Sequence, residues 1–165
     1  MDSSNGASAP PEGVHAFDFL AGRWRVRHRK LRRRLAGCTD WDEFNGTLEC
    51  RPVLGGLGNV DENVIEDPSG TYQALALRLF DPAPGLWSIW WVDGRRGLLE
   101  PPVHGRFQQG VGHFAGEDRL DGRPIHIRFF WSGAGTDRPR WEQAFSADGG
   151  AEWETNWIMQ LERAE

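Results

Sequence analysis

Cysteine is scarce in this chain of 165 residues, which contains only Cys38 and Cys50. Two cysteines are too few for a disulfide framework, and their surroundings lack the spacing of a metal site. We therefore interpret both as structural thiols and keep a single disulfide as the alternative. No motif near either residue indicates covalent catalysis.

Long apolar segments are also missing. No run reaches the roughly 18 residues that a membrane-spanning helix needs, so no membrane partner is expected. The first residues do not place a basic region before an apolar stretch, as a secretory signal would, and a cytoplasmic protein is the expectation. The net charge of −5 argues against a nucleic-acid partner for the molecule as a whole.

The common signatures of catalytic and cofactor sites are absent as well. There is no Gly-X-Ser-X-Gly elbow, and the glycine-rich stretch 54–58 lacks the Lys and Ser/Thr of a phosphate-binding loop. The five histidines show no metal-ligand spacing, so neither a metal nor a cofactor is expected. They are His15, His28, His104, His113 and His126.

Glycine, proline and tryptophan are abundant, with 21, 10 and 9 residues. Short apolar runs alternate with Gly, Pro and Asp turns, such as Asp121-Gly122, which is typical of antiparallel strands. We predict an all-β fold in which about ten strands form a single antiparallel up-and-down barrel, because closure removes exposed edges. The predicted strands are 22–28, 43–53, 59–66, 71–80, 86–93, 103–108, 112–117, 124–131, 139–147 and 153–163.

The domain boundary is predicted from composition. Residues 1–13 are rich in Ser, Ala, Pro and Gly, which indicates a disordered tail. Residues 14–165 then form the barrel domain. Phe17, Leu20 and Trp24 have helix-like spacing, so we expect a short helical turn that plugs one end of the barrel.

The opening strand has strict period-two alternation from Arg23 onward. Trp24, Val26 and His28 share one face, and arginines occupy the other. A helix over Arg29–Leu35 is the alternative for the end of this segment. The basic residues could track a phosphate backbone, but acids such as Glu43 and Glu49 on the next strand favour cross-strand charge pairing.

Gly22-Arg23-Trp24 resembles the Gly-X-Trp signature of lipocalin and calycin-type barrels. In those folds the tryptophan closes the barrel end against a basic residue of the last strand, a role that Arg163 could take. The stretches 79–82, 87–91 and 145–154 also resemble a group of uncharacterised bacterial proteins with a calycin-like barrel. The resemblance implies a cavity for a small, mainly apolar molecule and no particular chemistry.

The haem-binding branch of small ten-stranded barrels is a related resemblance. Those proteins place an axial histidine near the C-terminal end. The last histidine here is His126, and none follows in residues 139–165. Haem is therefore not expected.

Candidate ligand-binding residues follow from the strand faces. Arg78 shares a face with the small residues Ala74 and Ala76, which could leave room for an acidic ligand group, although it could equally point outward. Glu62 and Asn63 are adjacent, so one of them must face inward. The predicted ligand-binding residues are Trp24, Glu62, Arg78, Trp90, Gln143, Phe145 and Asn156.

The sequence supports two main hypotheses for the function and a third, less favoured one. The first is binding of a small hydrophobic or amphipathic organic molecule in the barrel. The alternative is a cofactor-free lyase, isomerase or cyclase in the same cavity, with His28 as acid or base. The third is a nucleic-acid or protein-docking module that uses the basic strand. Self-association as a homodimer is left open.

Overall fold

The opening strand keeps the alternation seen in the sequence. A computed structural model describes residues 12–164, and in it β1 (Gly22–Leu31) buries Trp24, Val26 and His28 while its arginines are exposed. The strand continues as far as Leu31 and is followed by a bend over residues 32–36. The helical alternative for Arg29–Leu35 is therefore wrong, because the period-two pattern persists through Lys30.

Ten further strands follow within residues 12–164. All of them except the two-residue β6 correspond to a predicted strand. The bounds are β2 (Trp41–Val53), β3 (Gly58–Asp67), β4 (Gly70–Asp81), β5 (Leu86–Asp93), β6 (Leu98–Leu99), β7 (Val103–Gln108), β8 (Val111–Leu120), β9 (Arg123–Ser132), β10 (Arg140–Ser146) and β11 (Glu154–Arg163).

The sheet closes on itself. Neighbouring strands pair antiparallel in the order β4, β3, β2, β1, β11, β10, β9, β8, β7, β5, and β5 pairs again with β4. The short β6 pairs only with β5 and stands outside this ring. The ten-stranded antiparallel barrel predicted from the turn spacing is confirmed.

Two single-turn 3₁₀ helices, Gly13–His15 and Asp18–Leu20, close one end of the barrel. Between them Phe17 packs edge-on against Trp87 and Phe107, and Trp87 Nε1 donates to the carbonyl oxygen of Gly13 at 2.9 Å. The predicted helical plug is confirmed. Residues 1–11 of the predicted tail lie outside the described residues. Among residues 12–164, no helix has the length and apolar character needed to cross a membrane.

Trp24 lies at the same closed end. Its indole donates to the carbonyl oxygen of Leu20 at 2.8 Å, and the Arg163 guanidinium lies 3.7 Å from the ring centroid. Arg163 also donates to the carbonyl oxygen of Ala21 at 2.6 Å. A tryptophan of the first strand is thus covered by a basic residue of the last, as the Gly-X-Trp resemblance implies.

The outer face of β1 is paired with acids on both sides. Arg23 lies 3.4 Å from Glu49 of β2, and Arg25 lies 3.5 Å from Glu162 of β11. The predicted cross-strand charge pairing is confirmed. All these side chains are more than half exposed, and exposed pairs each contribute about 0–1 kcal/mol.

Both cysteines are free thiols. Cys50 is buried, and burial raises the pKa of its thiol to about 11. A thiol with such a pKa is not a thiolate near neutral pH, which agrees with a structural role.

Candidate ligand-binding cavity

The barrel encloses a cavity of about 770 Å³. The N-terminal plug closes one end, and the cavity opens between the turns at the other. Those turns lie together because every second turn of an antiparallel meander is at the same end. The side chains at the mouth include Arg34, Arg96, Leu99 and the β8–β9 turn, residues 119–122.

Aromatic side chains form much of the cavity wall. Trp157 lies at the centre of this group, with Trp141 at 5.5 Å and Trp91 at 5.7 Å in edge-to-face geometry. Phe129 packs edge-on against Trp141 on the other side. The rings hold one another in fixed orientations, since edge-to-face pairs are favoured over loose contacts. The wall is therefore preformed.

A buried polar cluster forms part of the cavity lining in the half toward the plug. Arg78 of β4 and Asp61 of β3 form an ion pair of 2.6 Å, and their side chains are 5% and 1% exposed. Asn63 Nδ2 donates to Asp61 at 2.6 Å, and Arg78 donates to Asn59 at 3.0 Å. Since burying two charges is costly, these extra hydrogen bonds help to offset the loss of water.

Besides Asp61 Oδ2, which forms the ion pair with Arg78, three atoms of this region have no hydrogen-bond partner among residues 12–164. They are Arg78 Nε, Asn63 Oδ1 and Trp131 Nε1, all fully buried. Their side chains line the cavity. Two donors and one acceptor beside the cavity are thus without a partner, a state that is costly for buried polar atoms.

The strand alternation explains why these groups point inward. Residues 59, 61 and 63 are all on the buried face of β3, and Arg78 is the register partner of Asn59 on β4. Asp61 is a functional candidate that the sequence reasoning missed. The prediction that either Glu62 or Asn63 faces inward holds, and Asn63 is the inward one.

Glu62 is a wrong prediction as a cavity residue. It is exposed and lies on the outer face, across from Glu49 of β2 and Leu75 of β4. The prediction of Trp90 as a cavity residue is also wrong, because the strand alternation places its side chain on the outer face. Ile89 and Trp91 line the cavity, and Trp90 lies half-buried between them on the outer face.

Gln143 and Phe145, both predicted as ligand-binding residues, line the cavity. Gln143 Nε2 donates to Asn156 Oδ1 at 2.8 Å, so the predicted buried amide has its partner. Asn156 is itself fully buried and does not line the cavity. It positions Gln143. Trp24 belongs to the closed end and also lies outside the lining.

Lys30 continues the inward row of β1 to the cavity. Its ammonium lies 4.2 Å from the centroid of the Trp157 ring. Burial, with the nearby positive charge of Arg34, lowers the pKa of Lys30 to about 8. Among residues 12–164, no carboxylate lies within ion-pair distance of its amine.

The mouth of the cavity carries both carboxylates and arginines. Asp93 pairs with Arg95 at 2.7 Å, and Arg95 stacks on Tyr72 at 3.6 Å. The hydrogen bond from Arg95 lowers the pKa of Asp93. Burial raises the pKa of Glu100, which also lines the cavity. A ligand at the mouth therefore meets charges of both signs.

His28 is fully buried, but it is not among the lining residues. Its Nδ1 accepts a hydrogen bond from Trp157 Nε1 at 3.1 Å, and its ring stacks on Phe44. Burial lowers the pKa of His28 to about 4, so the ring is neutral near pH 7. A Cβ at Gly46 would lie 2.5 Å from the carbonyl oxygen of Val64 and 2.9 Å from His28 Nε2, so glycine leaves room for both the neighbouring strand and this ring.

An acid or base in the cavity would need a titratable partner, and His28 has none within hydrogen-bond reach among the described residues. Within the same residues, no group of three His, Cys, Asp or Glu side chains could hold a metal ion. The side chain that His28 supports is the indole of Trp157, at the centre of the aromatic wall.

Comparison with known proteins gives a fold and no family. No family model and no curated protein matches the sequence. Among solved structures, the chain is similar to the S-type phycobiliprotein lyase CPES from Guillardia theta, with a TM-score of 0.59 and 11% identity over 93% of each chain. The architecture of this chain is that of a lipocalin/calycin-like barrel.

Proposed function

We propose that the barrel binds a small amphipathic organic molecule in its cavity. The observation that carries the proposal is one continuous cavity with an aromatic wall and a buried polar cluster toward its closed end. Its volume of about 770 Å³ is in the range of pockets that take drug-sized ligands, roughly 300–1,000 Å³. A cytoplasmic location and a homodimer stay predictions.

The wall and the polar cluster suit different parts of such a molecule. The apolar body would pack against Trp91, Trp141 and Trp157. A polar group that both accepts and donates hydrogen bonds would lie beside Arg78, Trp131 and Asn63, which line the cavity and carry polar atoms without a partner among residues 12–164. Side-chain shifts that turn these atoms toward the ligand would then replace unsatisfied contacts, which favours a ligand with a polar end over a plain hydrocarbon.

The enzymatic alternative has one observation in its favour, which is that the similar solved structure is a lyase by name. At 11% identity that likeness carries the fold alone. The proposed acid or base, His28, lies outside the cavity lining and is bonded only to an indole. A lyase, isomerase or cyclase in this barrel would need another group, and binding is the better-supported function.

The test uses anilinonaphthalene sulfonate, an amphipathic fluorophore with an anionic end. We expect saturable binding of one molecule per chain, with enhanced dye fluorescence and quenching of the wall tryptophans. Ala76→Leu fills the cavity beside Arg78, since Ala76 lines it and is 2% exposed. This variant should weaken binding by at least tenfold. Ala115→Leu, at an exposed position on β8, is the matched control.

Near-ultraviolet circular dichroism of both variants separates cavity binding from dye uptake by a loosened core. If Ala76→Leu keeps a native spectrum and still binds the dye as the unaltered protein does, the dye does not occupy the cavity. That result would contradict the proposal. A loss that is equal in Ala115→Leu would do the same.

A further inference from the structure

The cavity is lined by the one lysine among the chain's basic residues. The sequence has 19 Lys and Arg residues, and a single one of them, Lys30, is a lysine. Arginine supplies the positive charge at every other position, including the whole outer row of β1. Lysine and arginine differ in one chemical respect that matters here: an amine can lose its proton and act as a nucleophile, whereas a guanidinium cannot.

The position of Lys30 is consistent with that chemistry. Its side chain lines the cavity, and its nitrogen lies over the face of Trp157 without an ion-pair partner among residues 12–164. A carboxylate in contact would hold the amine charged. The register partner on β2, Asp42, is instead bonded to Arg32 at 2.9 Å.

Charges of both signs surround Lys30. Arg34 and Arg95 disfavour the ammonium, and Asp67 and Asp93 favour it, while burial acts against the charge. His28, two residues earlier on the inner face, is neutral near pH 7 because its own pKa is low. With a pKa of about 8, roughly a tenth of Lys30 is a free amine at neutral pH, against on the order of one part in several thousand for an ordinary lysine.

We propose that Lys30 is a covalent anchor that forms a reversible imine with aldehyde ligands in the cavity. The Nζ lone pair attacks the carbonyl carbon, and the nitrogen proton passes to the carbonyl oxygen, which gives a carbinolamine. Loss of water from the carbinolamine forms the C=N bond. One amine and one aldehyde thus give one imine and one water, and no oxidant or reductant is consumed. The inference rests on the proposed cavity binding.

The cavity surroundings favour the imine over its hydrolysis. The aromatic wall of Trp91, Trp141 and Trp157 would pack against the apolar part of the aldehyde and raise the effective concentration of its carbonyl beside Nζ. The same packing displaces water, which is the reagent of the reverse step. An exposed amine on the outer face has neither advantage.

The experiment uses cinnamaldehyde as the probe, with cyanoborohydride to reduce any imine to a stable secondary amine. We expect a reduced imine at Lys30, located by peptide mass mapping, absent from Lys30→Arg and distinguished by its mass from conjugate addition of the probe to a free cysteine. The chain's α-amine is the internal reference. Arg25→Lys adds a comparator amine on the exposed face of the same strand. Lys30 should react at least tenfold faster than the comparator, with a rate that rises through about pH 8.

Cinnamyl alcohol, which has the same skeleton without the carbonyl, separates this inference from cavity binding. It should quench the wall tryptophans and protect Lys30 from cinnamaldehyde, while leaving the α-amine and the Arg25→Lys comparator unprotected. If the alcohol quenches but Lys30 reacts no faster than the comparator, the anchor is wrong and cavity binding stands. If the alcohol neither quenches nor protects, and labelling is confined to exposed amines, both proposals are wrong.

Discussion

Ion pairs lie on both faces of the barrel wall, but those on the outer face are exposed to water and the one on the inner face is buried. On the outer face of β1 the arginines pair with Glu49 and Glu162 in water, at 3.4–3.5 Å. On the inner face, Arg78 is buried with Asp61 at 2.6 Å. The strength of an ion pair depends on its surroundings, so the outer pairs are screened and the inner pair is not. We therefore expect changes to the inner charges to affect stability, and the proposed ligand binding, more than changes to the outer charges do.

Arg78→Met should have the largest effect on stability. It leaves Asp61 buried with Asn63 and a backbone amide as its remaining partners. Removing one member of a buried pair costs about 3–5 kcal/mol, because the other charge loses its compensation. Urea unfolding followed by tryptophan fluorescence measures this loss.

The double variant Arg78→Met/Asp61→Leu is the control for that reading. It removes both charges together, and replacement of a buried pair by apolar residues is often neutral or stabilising. We expect it to recover most of the stability lost in Arg78→Met while it still weakens dye binding. A double variant no more stable than the single one would mean that the loss comes from packing.

Because His28 is buried on the inner face, it should make the free energy of unfolding depend on pH. Its pKa is about 4 when folded and 6.5 when exposed, so the unfolded chain binds more protons between these values. The contribution of the neutral ring is therefore fully present above about pH 6.5 and is lost as pH falls toward 4. The difference amounts to about 3 kcal/mol.

Urea unfolding across that pH window measures the slope, and His28→Gln isolates it. The variant keeps a polar side chain that can accept from Trp157 Nε1, but it cannot titrate. Its free energy of unfolding should vary much less with pH over the window, even if its absolute stability is lower. An unchanged slope would assign the pH dependence to other groups.

The sequence predicted the architecture better than the inner lining, because it does not always show which of the two alternating faces of a strand points inward. In β1 the apolar and basic faces differ, so the alternation of Trp24, Val26 and His28 identified the buried side. In Leu86–Asp93 both faces are apolar, so nothing separated Trp90 from Trp91. Turn chemistry such as Asp121-Gly122 predicted the strand order locally, whatever the direction of the side chains.

β3 shows a second limit of sequence patterns. Its polar residues Asn59, Asp61 and Asn63 face the interior, and Val60 and Val64 lie on the outer face. The usual rule that the apolar face is buried does not decide the side here, because each face carries both apolar and polar residues. The exception marks a polar lining, and only the register with Arg78 on β4 revealed it.

Arg25→Gln should have the smallest effect and completes the comparison of the two faces. Arg25 and Glu162 are 60% and 54% exposed at 3.5 Å, so the pair should contribute less than about 1 kcal/mol. Salt should reduce even this difference, since exposed charges are screened at about 0.15 M ionic strength. Urea is the denaturant of choice because guanidinium would itself screen the pair. A loss near that of Arg78→Met would mean that the outer arginine row supports the barrel as strongly as the inner charges do.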